Sequence, residues 1–165
     1  MARSSTIPNK VYKFVHFEDV YIRTNLTGRA VQFEWLEIDD EGKITVKGSH
    51  PGGYAWDGCS PKFIVLDLIF GTPDGKLDYA TDKQIAYYAS MIHDALYQFK
   101  SEINISRKET DLIFKRNLKK AGFKLAGVYY FFVRLFGGFY GKWKVKKSQK
   151  NVRVAEFSWL MAENH

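Results

Sequence analysis

Apolar and polar residues alternate along Val31-Gln32-Phe33-Glu34-Trp35-Leu36-Glu37-Ile38. A period of two predicts a half-buried strand with Val31, Phe33 and Trp35 on one face. Asp39-Asp40-Glu41-Gly42-Lys43 reads as a turn, and Ile44-Thr45-Val46 returns, so residues 30–48 are expected to form a β-hairpin. Upstream, Val11 to Thr24 is rich in Tyr, Phe, Val and Ile and reads as extended, with a turn at Asn25 to Gly28. His50-Pro51-Gly52-Gly53 breaks the strand pattern and opens a loop. Phe63 to Phe70 is almost continuously apolar, and at that length periodicity leaves a buried strand and a short helix both open. Gly71-Thr72-Pro73-Asp74-Gly75 follows as a turn.

The period changes at Thr81. Thr81-Asp82-Lys83-Gln84 has the spacing of a capping box. It predicts a helix to about Phe99 that buries Ile85, Tyr88, Ala89, Ile92, Leu96 and Phe99. Ser106-Arg107-Lys108-Glu109 repeats the signal, with Asp111, Phe114 and Leu118 on one face and a stop at Gly122. A third, strongly aromatic helix is expected from about Leu125 to Phe136, ended by Gly137-Gly138. The predicted architecture is α+β: an amino-terminal β-hairpin or small antiparallel sheet packed on a carboxy-terminal bundle of about three helices. It comprises a single domain over 1–165, with a loose arm at 1–10, a β-rich part at 11–80, a helical part at 81–138 and a basic tail at 139–165.

Composition changes that picture little. The chain has 165 residues, 45% of them hydrophobic and 16% aromatic, enough to build a core. Its net charge of +7 favours anionic partners without choosing among nucleic acid, an anionic membrane face and acidic polymers. The single cysteine, Cys59, cannot form an internal disulfide and reads as a packing residue. Met1 to Pro8 lacks the apolar core of a secretion signal, and no apolar run reaches the roughly 18 residues of a membrane span. The expected location is a host cytoplasm, or a virion if the protein is a phage component. The cations at 142–153 read as a solvated face or an anion-binding stretch; no recognised nucleic-acid motif accompanies them. His16 and His50 read as strand and loop residues, and His165 as a frayed end.

The chemistry concentrates in His93-Asp94-Ala95-Leu96-Tyr97. A histidine acts as general base when neutral and held in one orientation, and a carboxylate on its other ring nitrogen is the usual device. On a helix Asp94 points about 100° away from His93 and is a poor orienter. Asp111, in the next helix, is the better one, and Tyr97, one turn beyond His93, can bond the same carboxylate. Asp94 is then free to bind a metal, with Asp57 as a second carboxylate and backbone carbonyls near Gly58. Oxygen donors of this kind suit a hard cation, calcium first.

Asp57-Gly58-Cys59, His93-Asp94-Ala95-Leu96-Tyr97, and Ser106-Arg107 with Asp111 three residues before Phe114 together resemble the phospholipase A2 superfamily, especially its small bacterial members. Tyr129-Tyr130 and Val133-Arg134-Leu135-Phe136-Gly137 extend the resemblance, which spans residues 54–138. It implies His93 as base, Asp111 as its orienter, Tyr97 as support for Asp111, and Asp57, Asp94 and the Gly58 carbonyl as calcium ligands. The chain departs from that family in having no partner for Cys59, no secretion signal and an added hairpin-rich third. It also resembles a phage and prophage family of unknown function that shares Asp-Gly-x-Ser, His-Asp-x-Leu-Tyr and Phe-Gly-Gly elements. The expected function is therefore a phage-type, calcium-dependent hydrolase of lipid esters acting at a phospholipid or anionic membrane surface. The alternatives are a non-catalytic phage structural or interaction protein on the same scaffold, with a phage or host protein as partner, and, ranked last, a nucleic-acid binder.

Overall fold

The computed structural model describes the backbone of residues 13–59, 62–65, 68–71 and 74–140, and the side chains of these except 62–71 and 137–140. The expected arm at 1–10 and the basic tail from residue 141 onward lie outside the described residues. Small antiparallel sheets are followed by three helices, an α+β order. The chain divides into two compact units, one ending at Trp56 and the next beginning at Asp57.

In the first unit, β1 (Phe14–His16), β2 (Asp19–Arg23), β3 (Val31–Gln32), β4 (Leu36–Ile38), β5 (Lys43–Lys47) and β6 (Tyr54–Trp56) make two sheets. One is four-stranded in the order β2-β5-β4-β3, and the other pairs β1 with β6. The expected hairpin is present as β4 and β5, with Ile38 opposite Ile44 and Leu36 opposite Val46. Its turn closes through Asp39, whose Oδ1 accepts the Lys43 N–H at 2.8 Å and whose carbonyl accepts the Gly42 N–H at 3.1 Å. Gly42 has φ 81°, and a Cβ there would lie 2.9 Å from the Leu26 nitrogen, so the turn needs glycine.

The strand through Val31, Phe33 and Trp35 is not continuous. The Phe33 N–H donates to the Leu36 carbonyl at 2.7 Å, and this local turn separates β3 from β4. Burial changes parity across it: Trp35 is buried, but so are Leu36 and Ile38, the opposite alternation. A one-residue change of phase moves side chains to the other face. Trp35 joins Tyr54 and Trp56 in an aromatic core, with ring centroids 6.3 Å and 6.0 Å apart along that series.

The second unit opens with two short hairpins, β7 (Lys62–Val65) with β8 (Leu68–Gly71), then β9 (Leu77–Asp78) with β10 (Lys83–Gln84). The apolar run at 63–70 is thus two strands, with Val65 opposite Leu68. Three helices complete the unit: α1 (Tyr87–Gln98), α2 (Arg107–Lys120) and α3 (Ala126–Tyr140).

The helix expected to start at Thr81 starts at Tyr87 instead. Asp78 captures Thr81, the expected cap. Its side chain accepts the Ala80 N–H at 3.0 Å and the Thr81 hydroxyl at 3.2 Å, and its carbonyl accepts the Thr81 N–H at 3.3 Å. The resulting turn carries Asp82 to φ 52°, outside the helical region, and Lys83 and Gln84 pair back on Leu77 and Asp78. Ile85 therefore precedes α1 rather than belonging to its buried stripe.

α1 is buried on nearly every side, including Ala89, Met91, Ile92, Ala95 and Leu96, as expected of a central helix. α2 begins at the second capping box, which forms as expected, and ends before Gly122, whose φ of 76° takes the chain out of helix. α3 continues through Gly137 and Gly138 to Tyr140, past the expected stop. Glycine inside a helix costs about 1 kcal/mol relative to alanine but ends the helix only when it turns left-handed.

α1 and α2 form an antiparallel pair. α2 and α3 also run antiparallel: Arg107 meets Arg134, while Lys115, two turns on, lies over the Tyr130 ring at 4.8 Å. Their shared core joins Cys59, Ala86, Ala89, Phe114, Leu118, Ala126, Tyr129 and Val133. Among the described residues no helix is long and apolar enough to cross a membrane.

Candidate active site

The site starts with a helix start. The Ser106 hydroxyl accepts the Glu109 N–H at 3.2 Å, and the Glu109 carboxylate accepts the Ser106 N–H at 2.9 Å. This reciprocal cap fixes where α2 begins and hence which way Asp111 faces. Asp111 has no exposed surface. Across from it, α1 carries His93 and Tyr97 one turn apart on a common face.

Asp111 is the hub. His93 Nε2 donates to Asp111 Oδ1 at 3.0 Å, and the Tyr97 hydroxyl donates to the same oxygen at 2.7 Å. Arg134 Nη1, from α3, donates to Oδ2 at 2.9 Å. Arg107 Nη1 donates in turn to the Arg134 carbonyl at 3.2 Å, tying the start of α2 to α3. The His93 ring lies between Tyr97 and Phe114, with centroids at 4.5 Å and 4.6 Å, so it is held in plane as well as by its nitrogen.

Burial alone would raise the Asp111 carboxyl, but hydrogen bonding to His93, the His93 charge and the bonds from Tyr97 and Arg134 outweigh it and hold the group below its ordinary value. Tyr97 moves the opposite way: burial, then the Asp111 charge and the shared hydrogen bond, push its phenol up, so it stays protonated and donates.

The Asp111 contact sets the histidine tautomer. An ionised carboxylate only accepts hydrogen bonds, so Nε2 carries the proton. In the neutral ring Nδ1 then presents a lone pair, and among the described residues Nδ1 has no hydrogen-bond partner. His93 is 8% exposed, so the ring is nearly but not fully enclosed. The arrangement is an oriented base whose free nitrogen can take a proton, backed by an anion that stabilises the imidazolium.

The three residues expected to do catalysis, His93, Asp111 and Tyr97, are thus in direct contact. Asp57 and Asp94 are both half-buried and neither bonds Asp111. Gly58 between Asp57 and Cys59 is buried with φ 76°, a backbone reversal that suits glycine. Among the described residues no three His, Cys, Asp or Glu side chains gather closely enough to hold a metal ion. A cation bound here would need the two carboxylates, the Gly58 carbonyl and water. That expected set is all oxygen, the donor class that calcium takes.

Two further residues shape the site. Asp74 is 3% exposed, and its Oδ1 accepts the Cys59 N–H at 2.7 Å, pinning the loop that contains Gly58. Its place in Gly71-Thr72-Pro73-Asp74-Gly75 reads only as turn chemistry in the sequence. Arg134 had a signal: it is the sole charged residue between Leu125 and Phe136, and a lone charge in an apolar helix needs a buried partner or solvent.

Comparison with protein-family models, curated proteins and solved structures gives no match to this chain.

Proposed function

We propose that the protein is a phage-type, calcium-dependent hydrolase of phospholipid esters, similar in its chemistry to phospholipase A2. The observation that carries this reading is the Asp111–His93 contact, which keeps the proton on Nε2 and leaves Nδ1 available to a water molecule. His93 Nδ1 takes a proton from that water as its oxygen attacks the ester carbonyl. Asp111 stabilises the imidazolium, and Tyr97 and Arg134 keep Asp111 ionised and in place. When the tetrahedral adduct collapses, the imidazolium returns the proton to the departing alcohol, leaving a fatty acid and a lysophospholipid. Asp57, Asp94 and the Gly58 carbonyl would hold the calcium, which when bound supplies positive charge to the ester carbonyl oxygen. The order of the three sequence elements supports the same assignment.

The test is fatty-acid release from phosphatidylglycerol vesicles as calcium is varied. Wild type releases fatty acid with a saturable dependence on calcium. Asp94→Asn shifts that dependence to much higher calcium while leaving the thermal melt near that of wild type. A calcium response identical in the two proteins would remove Asp94 from the site.

A second reading has its own support. Asp111 is completely buried and bonded by three donors, which is also how a polar network fixes a helix bundle. On that reading the protein is a phage structural or interaction component, in a virion or host cytoplasm, and substitution of His93 changes stability or assembly with no turnover to lose.

A further inference from the structure

β2 is an outer strand of the four-stranded sheet: β5 pairs with one side of it, and among the described residues no strand pairs with the other. The hydrogen bonds of the sheet fix which backbone groups of β2 are left over. The Lys47 N–H donates to the Trp35 carbonyl at 2.9 Å and the Asp39 N–H to the Lys43 carbonyl at 3.1 Å, so Lys43, Thr45 and Lys47 turn their backbone toward β4. Antiparallel strands alternate, so Ile44 and Val46 turn theirs toward β2, where they meet Ile22 and Val20. The Thr24 N–H, which donates to the Gly42 carbonyl at 2.9 Å, keeps the same alternation. Asp19, Tyr21 and Arg23 therefore point their N–H and C=O groups at the open edge.

The side chains of that edge repeat about a centre. Asp19 and Arg23, opposite in charge, stand equally far on either side of Tyr21, which is exposed, and Val20 and Ile22 flank it on the other face, both half-buried. Ser49 holds Asp19 in place: its N–H and its hydroxyl both donate to Oδ1, at 3.0 Å and 2.7 Å. These bonds keep the Asp19 carboxyl below its ordinary value. Arg23 lies 3.6 Å from Glu41, with both side chains mostly exposed, and such a pair constrains it weakly.

We propose that β2 pairs with β2 of a second copy of this chain, antiparallel and centred on Tyr21. Tyr21 then exchanges both backbone hydrogen bonds with the partner's Tyr21, and Asp19 and Arg23 exchange theirs with the partner's Arg23 and the partner's Asp19. The same register sets opposite charges across the seam at both ends and puts Val20 against the partner's Ile22 on the other face. Charges on an edge strand usually keep other strands away, because most partners leave them unmatched. Here they are matched by an antiparallel copy, which favours a second copy over an unrelated strand. The contact is isologous, so it closes at a dimer and joins two four-stranded sheets into one. It is independent of the hydrolase chemistry.

Sedimentation equilibrium of the full-length protein tests this. A single strand pair makes a small interface, so wild type should be a dimer with a Kd of roughly 0.01–1 mM. Arg23→Asp places like charges across both ends of the seam, and so does Asp19→Arg; each should raise Kd at least roughly tenfold with circular dichroism unchanged. An equimolar mixture of the two variants restores both opposite-charge contacts and should dimerise again. In hydrogen exchange, the amides of Asp19, Tyr21 and Arg23 should slow as concentration rises, while those of Val20 and Ile22, bonded to β5, stay protected throughout. A wild type monomeric up to about 1 mM would overturn the proposal. So would a dimer indifferent to both variants, variants that stay monomeric when mixed, or growth past the dimer, which would mean that β2 meets a different edge.

Discussion

Asp111 concentrates the physical content of the site in one carboxylate. It is fully buried, yet its hydrogen bonds and the charge of His93 hold it below the ordinary carboxylate range. A carboxyl whose value is lowered by folding contributes stability that is fully present above its unfolded value of about 4 and is lost as pH falls through the lower folded value. Asp111→Asn should remove that acid-side loss. It should also destabilise the protein at neutral pH by about 1–3 kcal/mol, because an amide cannot accept from His93, Tyr97 and Arg134 at once and leaves a donor facing a donor. Chemical denaturation of the two proteins between pH 3 and 7 measures both effects; parallel curves would mean that Asp111 is not the titrating group. At this scale the sequence was informative. Helical geometry alone separates His93 from Asp94 and turns Tyr97 toward the same side as His93. Arg134 was harder to foresee, because its partner is 23 residues away and only the packing of α3 on α2 brings them together.

Two capping-box patterns with the same spacing behaved differently, which shows what local patterns can carry. Ser106 and Glu109 close on each other, each side chain accepting the other's backbone N–H. Thr81 is captured by Asp78, three residues before it, and the chain enters a β-turn in place of a helix. Ser106→Ala should therefore cost about 1 kcal/mol, the usual loss of a helix cap. Thr81→Ala should stay within about 0.5 kcal/mol, as expected for an exposed residue that caps nothing. Equal losses at the two positions in a thermal or urea melt would contradict the assignment. The strand break at residues 33–35 and the run of α3 through two glycines were hidden for a related reason. The first is a local turn, Phe33 N–H to the Leu36 carbonyl, that interrupts an otherwise regular alternation, and in the second the glycines stay helical; residue type alone fixes neither.

On the scale of the whole chain, the change of period at Thr81 anticipates an α+β fold, and the order of elements agrees: small antiparallel sheets, then three helices. The site lies within one unit, on three successive helices, and the one-turn spacing of His93 and Tyr97 made that part of it readable. The two carboxylates expected at a cation are less so, because a loop and a helix position them independently and no periodicity links Asp57 to Asp94. Which face of α3 is exposed was not legible in the sequence, since exposure depends on which side of the helix the bundle covers. The central claim is that His93 acts as a base toward a phospholipid ester. It is tested most directly by the turnover of His93→Ala against wild type on phosphatidylglycerol vesicles at saturating calcium. Wild type should release fatty acid, and the variant should be slower by roughly a thousandfold or more. Release that is equal in the two proteins, or absent from wild type with calcium demonstrably bound, would contradict it.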